Sequence, residues 1–250
     1  DLGVNVINTE FSGRPEKAEE SERAFFRSME ELLPIIEREG IDVRIDPHPD
    51  DFVEDGLEAV RIIRGVNSPN IGMVYVACHS YHMGGNMSEI MAAAGEKLRL
   101  VHVADTMDHH RSHGLRYITN PPGNPVRVHQ HLKIGDGDIN WDEFFSGLAE
   151  LGFYDRDDTV MVSSVFAEDE TAHEVSRYQL KTMTEYVANI SPNISCLDVY
   201  DLVWCISLHE EAREGVQDLV ASAWIFRTCV RLERHLLKPL DLMIILCSLQ

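Results

Sequence analysis

The strongest constraint on the fold of this chain is a repeated order of strand-like and helix-like patterns. Short segments rich in aliphatic and β-branched residues alternate, over most of the chain, with segments whose apolar residues recur at helical spacing. Such alternation predicts parallel strands joined by crossover helices, in either an open doubly wound sheet or a closed barrel. The five predicted strands cover residues 4–10, 42–47, 71–79, 98–105 and 159–166.

The polar pattern of the second predicted strand favours the barrel. Within residues 41–46, aliphatic side chains alternate with Asp42, Arg44 and Asp46. A barrel strand has this pattern when it buries aliphatic side chains under the helices and directs functional groups into the lumen. The glycine-rich turn of dinucleotide-binding sheets follows none of the predicted strands, so we expect no nucleotide cofactor. The sequence therefore predicts a (β/α)8 TIM barrel fold.

Two helices have clear end signals. The first is predicted for residues 21–38 and should end at Gly40, because glycine readily adopts the left-handed conformation that terminates helices. Pro34 lies inside it and is expected to kink it, at a cost of about 3 kcal/mol. The second should begin after Asn140, which forms a capping-box pattern with Glu143.

The chain changes character near residue 190. Residues 189–250 hold four of the five cysteines and contain helical stretches without a strand-helix repeat. We therefore divide the chain into a partial barrel, 1–188, and an atypical tail, 189–250, that is either helical or poorly ordered. Because the first predicted strand begins almost at the first residue, which is Asp1, we expect earlier barrel strands to be missing.

Composition restricts the partners of the chain. Its formal net charge of -20 repels phosphate backbones and anionic lipid surfaces, so nucleic acid is an unlikely partner. The longest apolar runs fall short of the roughly 20 residues that span a bilayer, so we expect no membrane segment. Five cysteines without close spacing argue against a disulfide framework and favour a reducing compartment. We predict a cytoplasmic protein.

Histidines are concentrated where a barrel has its active face. Nine of the twelve lie between His48 and His131, and most follow the carboxyl ends of predicted strands. Imidazole and carboxylate groups together suit one divalent metal such as Mn, Zn, Co or Mg. The candidate ligands are Asp46, His79 and His102, although a buried polar pair or a satisfied core histidine would leave the same pattern.

Four residues are candidates for proton transfer. Glu10 closes the first predicted strand, His48 follows Asp46 across a proline, and Asp105 lies three residues after His102. His131 is the fourth, because histidine can exchange protons near neutral pH. For each of the four, capping or bracing a loop is the alternative role.

A segment of roughly thirty residues between Asp105 and Asp138 shows no strand or helix pattern. Loops of this length are usually functional lids or disordered. We favour a lid that closes on substrate, with Arg116 and His129 as its binding groups. His82, which follows the third predicted strand, is a further candidate for substrate binding.

Several motifs together resemble a known family. They are NTEFSG at 8–13, SMEELLP at 28–34, ADTM at 104–107, RY at 116–117, NPPG at 120–123, VHQH at 128–131 and IGDGD at 134–138. In these motifs the chain resembles the xylose-isomerase-like barrel superfamily, which includes sugar-phosphate isomerases, epimerases and, more distantly, endonuclease IV. Within it the chain is most similar to inositol-catabolism proteins of the H type. The resemblance covers roughly residues 1–188 and implies that the five predicted strands are barrel strands four to eight.

The resemblance also implies a metal-ligand set. The superfamily typically holds one divalent metal with a glutamate, an aspartate, a histidine and a second glutamate on strands five to eight. By position, these fall on Asp46, His79, His102 and near Ser164. Two of the three expected carboxylates are missing, at His79 and near Ser164, so the resemblance implies a metal only if imidazoles such as His79 take their place.

Residues and resemblance together predict an isomerase or epimerase that acts on a sugar, inositol or keto-polyol in carbohydrate or inositol catabolism. It would transfer a proton next to a carbonyl, with possible help from a metal, and a homo-oligomer is compatible with the sequence. The alternatives are a degenerate, non-catalytic polyol-binding barrel or partner subunit and, against the charge of -20, a metal-dependent phosphodiesterase. Because five strands alone cannot close a barrel, activity is expected of the complete protein.

Overall fold

A computed structural model describes residues 5–84, 86–107, 130–167 and 169–190, together with 203–205 and 244–245. Strands and helices alternate through the first four of these ranges, as predicted. The elements are β1 Val6–Glu10, α1 Ala18–Glu39, β2 Asp42–Asp46, α2 Gly56–Val66, β3 Ile71–Val76, α3 Ala77–Ser80, α4 Met87–Ala94, β4 Leu98–Val103, α5 Trp141–Glu150, β5 Val160–Ser163, α6 Asp169–Ile190, β6 Val203–Cys205 and β7 Ile244–Ile245.

The strands form one parallel sheet in the order β6-β5-β4-β3-β2-β1-β7. Strands β1 to β5 are neighbours in sequence order and curl into part of a barrel, which confirms the predicted fold class. Because all strands run the same way, their carboxyl ends meet at one edge of the sheet. Side chains that follow β1, β2, β3 and β5 can therefore reach one another.

Within the tail at 189–250, predicted to be helical or poorly ordered, the described residues 203–205 and 244–245 form strands β6 and β7. β6 pairs with β5 and β7 pairs with β1, so two tail segments extend the sheet at its two edges. The sequence pattern of the tail did not indicate this pairing. An edge strand offers unpaired backbone N–H and C=O groups, and whether a distant segment pairs with them depends on the tertiary fold. Helix α6 also continues to Ile190, past the expected boundary at residue 188.

The predicted end signals act largely as expected. Helix α1 ends at Gly40 with a φ of 63°, and the Asn140 side chain accepts a hydrogen bond from the backbone N–H of Glu143 at the start of α5. Pro34 lies within α1 without ending it. It is exposed, as is Glu30 one turn earlier, so water can replace the hydrogen bond that the proline removes.

The inner face of the sheet changes character along the strands. Near the amino ends, the Arg44 guanidinium bonds Asp42 and the backbone oxygens of Arg99 and Asp158, so these charges neutralise one another. At the carboxyl ends, Asp46 contacts His79 instead of an arginine. Polar groups at the two ends of the strands therefore have different partners. No helix in the described part of the chain is long and apolar enough to cross a membrane.

Candidate functional site

Three buried side chains form a hydrogen-bonded series at the carboxyl ends of the strands. The Nδ1 atom of His79 lies 2.9 Å from Oδ2 of Asp46, and its Nε2 atom lies 3.0 Å from Nε2 of His131. On the far side, Nδ1 of His131 lies 2.7 Å from the backbone oxygen of Ser164. We call Asp46, His79 and His131 the histidine chain.

The acceptors decide where the protons lie in the histidine chain. The Ser164 carbonyl can only accept, so Nδ1 of His131 carries a hydrogen and its Nε2 accepts from Nε2–H of His79. The His79–Asp46 contact holds one further proton, which lies on Asp46 if His79 is neutral and on Nδ1 if His79 is an imidazolium. Burial, followed by repulsion from Glu10, raises the pKa of Asp46 well above its usual value.

The state of His131 agrees with this assignment. Burial lowers the pKa of its imidazole to about 3, although the hydrogen bond to Ser164 opposes the shift. With His131 neutral, one proton is shared between Asp46 and His79. The arrangement is suited to taking up and releasing a single proton in a buried site.

Local geometry explains why these residues meet. β2 ends at Asp46 before a proline, and α3 begins directly after β3, which places His79 beside the end of β2. His131 enters from the opposite side, next to a bridge between Asp105 and Leu132. His131 stands against Ser164, the position at which the resemblance implies a glutamate.

A second group lies beside the histidine chain. Glu10, His48 and Asp51 each offer a ligand atom, and these atoms lie within 4.8 Å of one another. We call them the rim cluster. The ring of His48 packs edge-on against that of His79, with centroids 4.6 Å apart, so the rim cluster adjoins the histidine chain.

His102 points from β4 to the same inner face. In the sheet, His102 pairs with Val76 and Val162. A positive charge on His102 would lower the pKa of His131. Its Nε2 atom is buried and has no hydrogen-bond partner within the described ranges. The predicted ligand His102 therefore has a ring nitrogen that is available to a metal or a substrate.

His102 should make stability depend on pH. Burial lowers its pKa from 6.5 to about 4, so the unfolded state binds a proton over this interval and the native state does not. Stability from this group is complete above pH 6.5 and is lost as the pH falls to 4. Between these limits we expect wild type to lose about 3 kcal/mol more than His102→Gln. Urea unfolding of both proteins with a chelator present measures this, and parallel pH curves would contradict it.

Asp105 has a bracing environment rather than a reactive one. Its fully buried carboxylate accepts hydrogen bonds from four groups: the backbone N–H groups of Thr106, Gly135 and Ile139, and the indole N–H of Trp141. Each of its two oxygens is occupied by two of these donors. The predicted catalytic role of Asp105 thus has no support from its contacts.

The substrate-binding candidates fare differently. Nε2 of His82 lies 3.1 Å from Oε2 of Glu54, which places His82 in a separate buried pair. Arg116 and His129 lie outside the described residues, as does most of the predicted lid. Sequence reasoning did not identify Asp51, although its position in a turn three residues after His48 was a usable signal. It also did not identify Cys78 as a candidate ligand.

The site has donors that fit a divalent metal. Cys78 Sγ and one nitrogen each of His79 and His131 lie within 4.8 Å of one another. Oδ1 of Asp46 and Nε2 of His102 are buried without a partner in the part of the chain that the structure describes. Sulfur and imidazole donors suit zinc better than magnesium, and binding would ionise the Cys78 thiol, whose pKa burial raises.

Known proteins resemble both the sequence and the fold. Inosose isomerase from Bacillus subtilis is 28% identical over 139 residues, which are 55% of this chain and 46% of that protein. Inosose isomerase from Halalkalibacterium halodurans is 26% identical over 176 residues, covering 61% of this chain and 58% of that one. The chain thus spans about half the length of the curated relatives that it matches.

Solved structures agree in fold. The structure of an IolI protein with a bound zinc atom is 25% identical in sequence and has a TM-score of 0.57. The match covers 76% of this chain and 65% of the IolI chain. A D-tagatose 3-epimerase-like protein, 17% identical with a TM-score of 0.55 over the same shares, supports the fold alone. Residues 1–186 match the family model described as a xylose isomerase-like TIM barrel. This chain therefore belongs to the xylose isomerase-like TIM barrel family.

Proposed function

We propose that this chain provides the reactive site of a sugar or inositol isomerase or epimerase, which moves a proton at a carbon next to a carbonyl. The observation that carries the proposal is the histidine chain, in which Asp46 is backed by two imidazoles in series. The relatives named inosose isomerase support a keto-polyol as the substrate class.

Asp46 is the group that exchanges the proton. Its Oδ2 is occupied by His79, whereas its Oδ1 is buried without a partner among the described residues and so is available to a substrate. When the proton of the Oδ2 contact lies on Nδ1 of His79, Asp46 is a carboxylate, its Oδ1 takes the proton from carbon, and the electron pair of the C–H bond moves to the carbonyl oxygen. The raised pKa makes Asp46 a better base than an exposed aspartate.

His79 and His131 stabilise the product of this step. After the step, Asp46 carries the abstracted proton on Oδ1 and its Oδ2 accepts from Nδ1–H of His79, so the rest of the histidine chain remains satisfied. Return of the proton to the former carbonyl carbon, while the hydroxyl proton of the adjacent carbon passes to the enolate oxygen, completes an isomerisation. His102 is neutral near pH 7, and its unpartnered Nε2 can donate a hydrogen bond to the enolate oxygen in the tautomer that carries the hydrogen there.

A zinc-like ion held by Cys78, His79 and His131 would supply Lewis acidity that polarises the substrate carbonyl. The two histidines cannot serve both purposes at once, because metal ligation needs the lone pair of each ligating nitrogen, whereas the histidine chain places a hydrogen between the two Nε2 atoms. Activity measured after a chelator has removed any metal therefore distinguishes proton transfer by the histidine chain from the metal-assisted reaction.

Replacing His79 tests the proposal directly. We expect His79→Gln to lower turnover by roughly 10²-fold, because Asp46 loses the imidazole that receives its proton. Uptake of solvent deuterium next to the carbonyl, followed by NMR with a panel of inososes and ketoses, measures the step. The control is His173→Gln, the same change at an exposed histidine on α6.

Two results would count against the proposal. Equal exchange rates in wild type and His79→Gln would remove the histidine chain from the mechanism. Tight binding of a keto-polyol by wild type without any exchange would favour a non-catalytic polyol-binding barrel, the reading that His79 and Ser164 at carboxylate positions also permit.

A further inference from the structure

The rim cluster of Glu10, His48 and Asp51 contains none of the residues that act in the proposed reaction. Glu10 ends β1, and the other two residues belong to the turn that follows β2. We propose that the rim cluster is a second cation site, which binds a divalent first-row ion such as Mn²⁺ through two carboxylates and one imidazole. This proposal does not depend on the proposed reaction.

The turn after β2 holds two of the ligands in fixed positions. The backbone N–H of His48 donates to the Val53 carbonyl at 3.3 Å, and that of Asp51 donates to the His48 carbonyl at 3.2 Å. Between them, Asp50 has a φ of 69°, a conformation in which aspartate and asparagine are among the few tolerated residues. The turn therefore directs His48 and Asp51 to one side.

The tautomer of His48 suits a ligand. Its Nδ1 atom lies 2.8 Å from the backbone oxygen of Pro49, which can only accept, so Nδ1 carries the hydrogen. The lone pair then lies on Nε2. Histidines that bind metals commonly donate their other N–H to a backbone carbonyl in this way, which fixes the orientation of the ring.

Asp51 provides an independent sign of a ligand. The residue is only 7% exposed, and its Oδ2 atom is buried with no hydrogen-bond partner in the described segments. The carboxyl group also has a hydrogen bond from the backbone of Gly13. A buried carboxylate oxygen without a partner is costly unless a cation or solvent satisfies it.

The local charge also favours a cation. Glu10 and Asp51 both repel Asp46, and after burial the Glu10 charge contributes most to raising the pKa of Asp51 to about 7. A dication between these carboxylates would offset that repulsion. Two carboxylates with one imidazole form a harder donor set than Cys78, His79 and His131, so Mn²⁺ suits the rim cluster and zinc suits the other group.

Manganese binding to the intact chain tests the site without any substrate. Chelator-treated protein is titrated with Mn²⁺, and the free ion is followed by electron paramagnetic resonance. We expect Asp51→Asn to weaken binding at least as much as the roughly 10- to 100-fold loss typical of outer-shell changes. The matched control is Asp50→Asn, which removes the neighbouring exposed charge and keeps the turn; it should change affinity by less than about twofold.

Cys78→Ser identifies which group holds the ion, because Cys78 belongs only to the other set. We expect this variant to bind Mn²⁺ like wild type. Equal affinity of wild type and Asp51→Asn, or loss of binding in Cys78→Ser, would overturn the proposal. If circular dichroism shows that Asp51→Asn does not fold, Glu10→Gln takes its place with the same expectation. These results are independent of turnover, so they cannot be confused with failure of the proposed reaction.

The proposal changes the roles expected from the sequence. Glu10 and His48 were predicted to transfer protons, and they become ligands here. They lie at or just after the ends of β1 and β2, as expected, and their ligand atoms form a group with that of Asp51.

Discussion

Replacing Asp46 with Asn is expected to lower the rate of solvent deuterium uptake into a keto-polyol by roughly 10²- to 10⁴-fold, the range of a lost general base. Asparagine has nearly the same shape, and its amide N–H can still donate to Nδ1 of His79, so the buried contact survives. What disappears is the capacity to take a proton at Oδ1. The fold should therefore persist while exchange is lost.

Glu54→Gln is the matched control for Asp46→Asn. Glu54 is also a buried carboxylate at this end of the sheet, but it accepts from the Asp50 backbone N–H and pairs with His82. Its replacement removes a comparable charge outside the histidine chain, so exchange should stay within a few-fold of wild type. Exchange by Asp46→Asn at the wild-type rate would show that another group takes the proton.

Replacing Asp105 with Asn should be the most damaging change for stability, by about 3–4 kcal/mol. Each carboxylate oxygen accepts from two N–H groups, and asparagine would turn an N–H₂ group toward one of these pairs. Two buried donors would lose their acceptor, and hydrogen bonds to charged groups contribute about 1.5–3 kcal/mol each. Urea unfolding, with the slope checked for two-state behaviour, measures the loss.

Asp136→Asn is the control for Asp105→Asn. Asp136 lies in the same returning segment but pairs with Lys133 at the surface, where such pairs contribute about 0–1 kcal/mol. A loss of stability in Asp105→Asn no larger than in this control would restore Asp105 as a candidate for chemistry. The environment argues otherwise, because a Cβ at Gly137 would clash with the Asp105 carboxylate and the Thr106 carbonyl. The segment is packed tightly around this one side chain.

The Asp105 result shows where reasoning from sequence fails. Its place three residues after His102 suggested a shared role, since neighbours in sequence often support one another. The structure gives the two residues different surroundings. Residues 132–141 fold back over Asp105, and the N–H groups of Gly135, Ile139 and Trp141 donate to it. His102, in contrast, has a buried Nε2 atom without a hydrogen-bond partner among the described residues.

The site could be predicted in part. Placing functional groups at the carboxyl ends of parallel strands correctly brought Asp46 and His79 to one edge of the sheet. Their contact could not be foreseen, because the two residues are 33 positions apart, and His79 and His131 are 52 apart. The contact between His131 and the backbone carbonyl of Ser164, which sets the tautomer of His131, could not be foreseen either.

The sequence alone determined the order of strands and helices, the parallel sheet and the helix ends at Gly40 and Asn140, because periodicity and capping are local properties of the backbone. It also determined which residue types stand at the ends of the strands. Only the tertiary structure decided which of them touch, since loop paths are set by packing. That packing distinguished the carboxylate of Asp46, backed by an imidazole, from the carboxylate of Asp105, which is held by four donors.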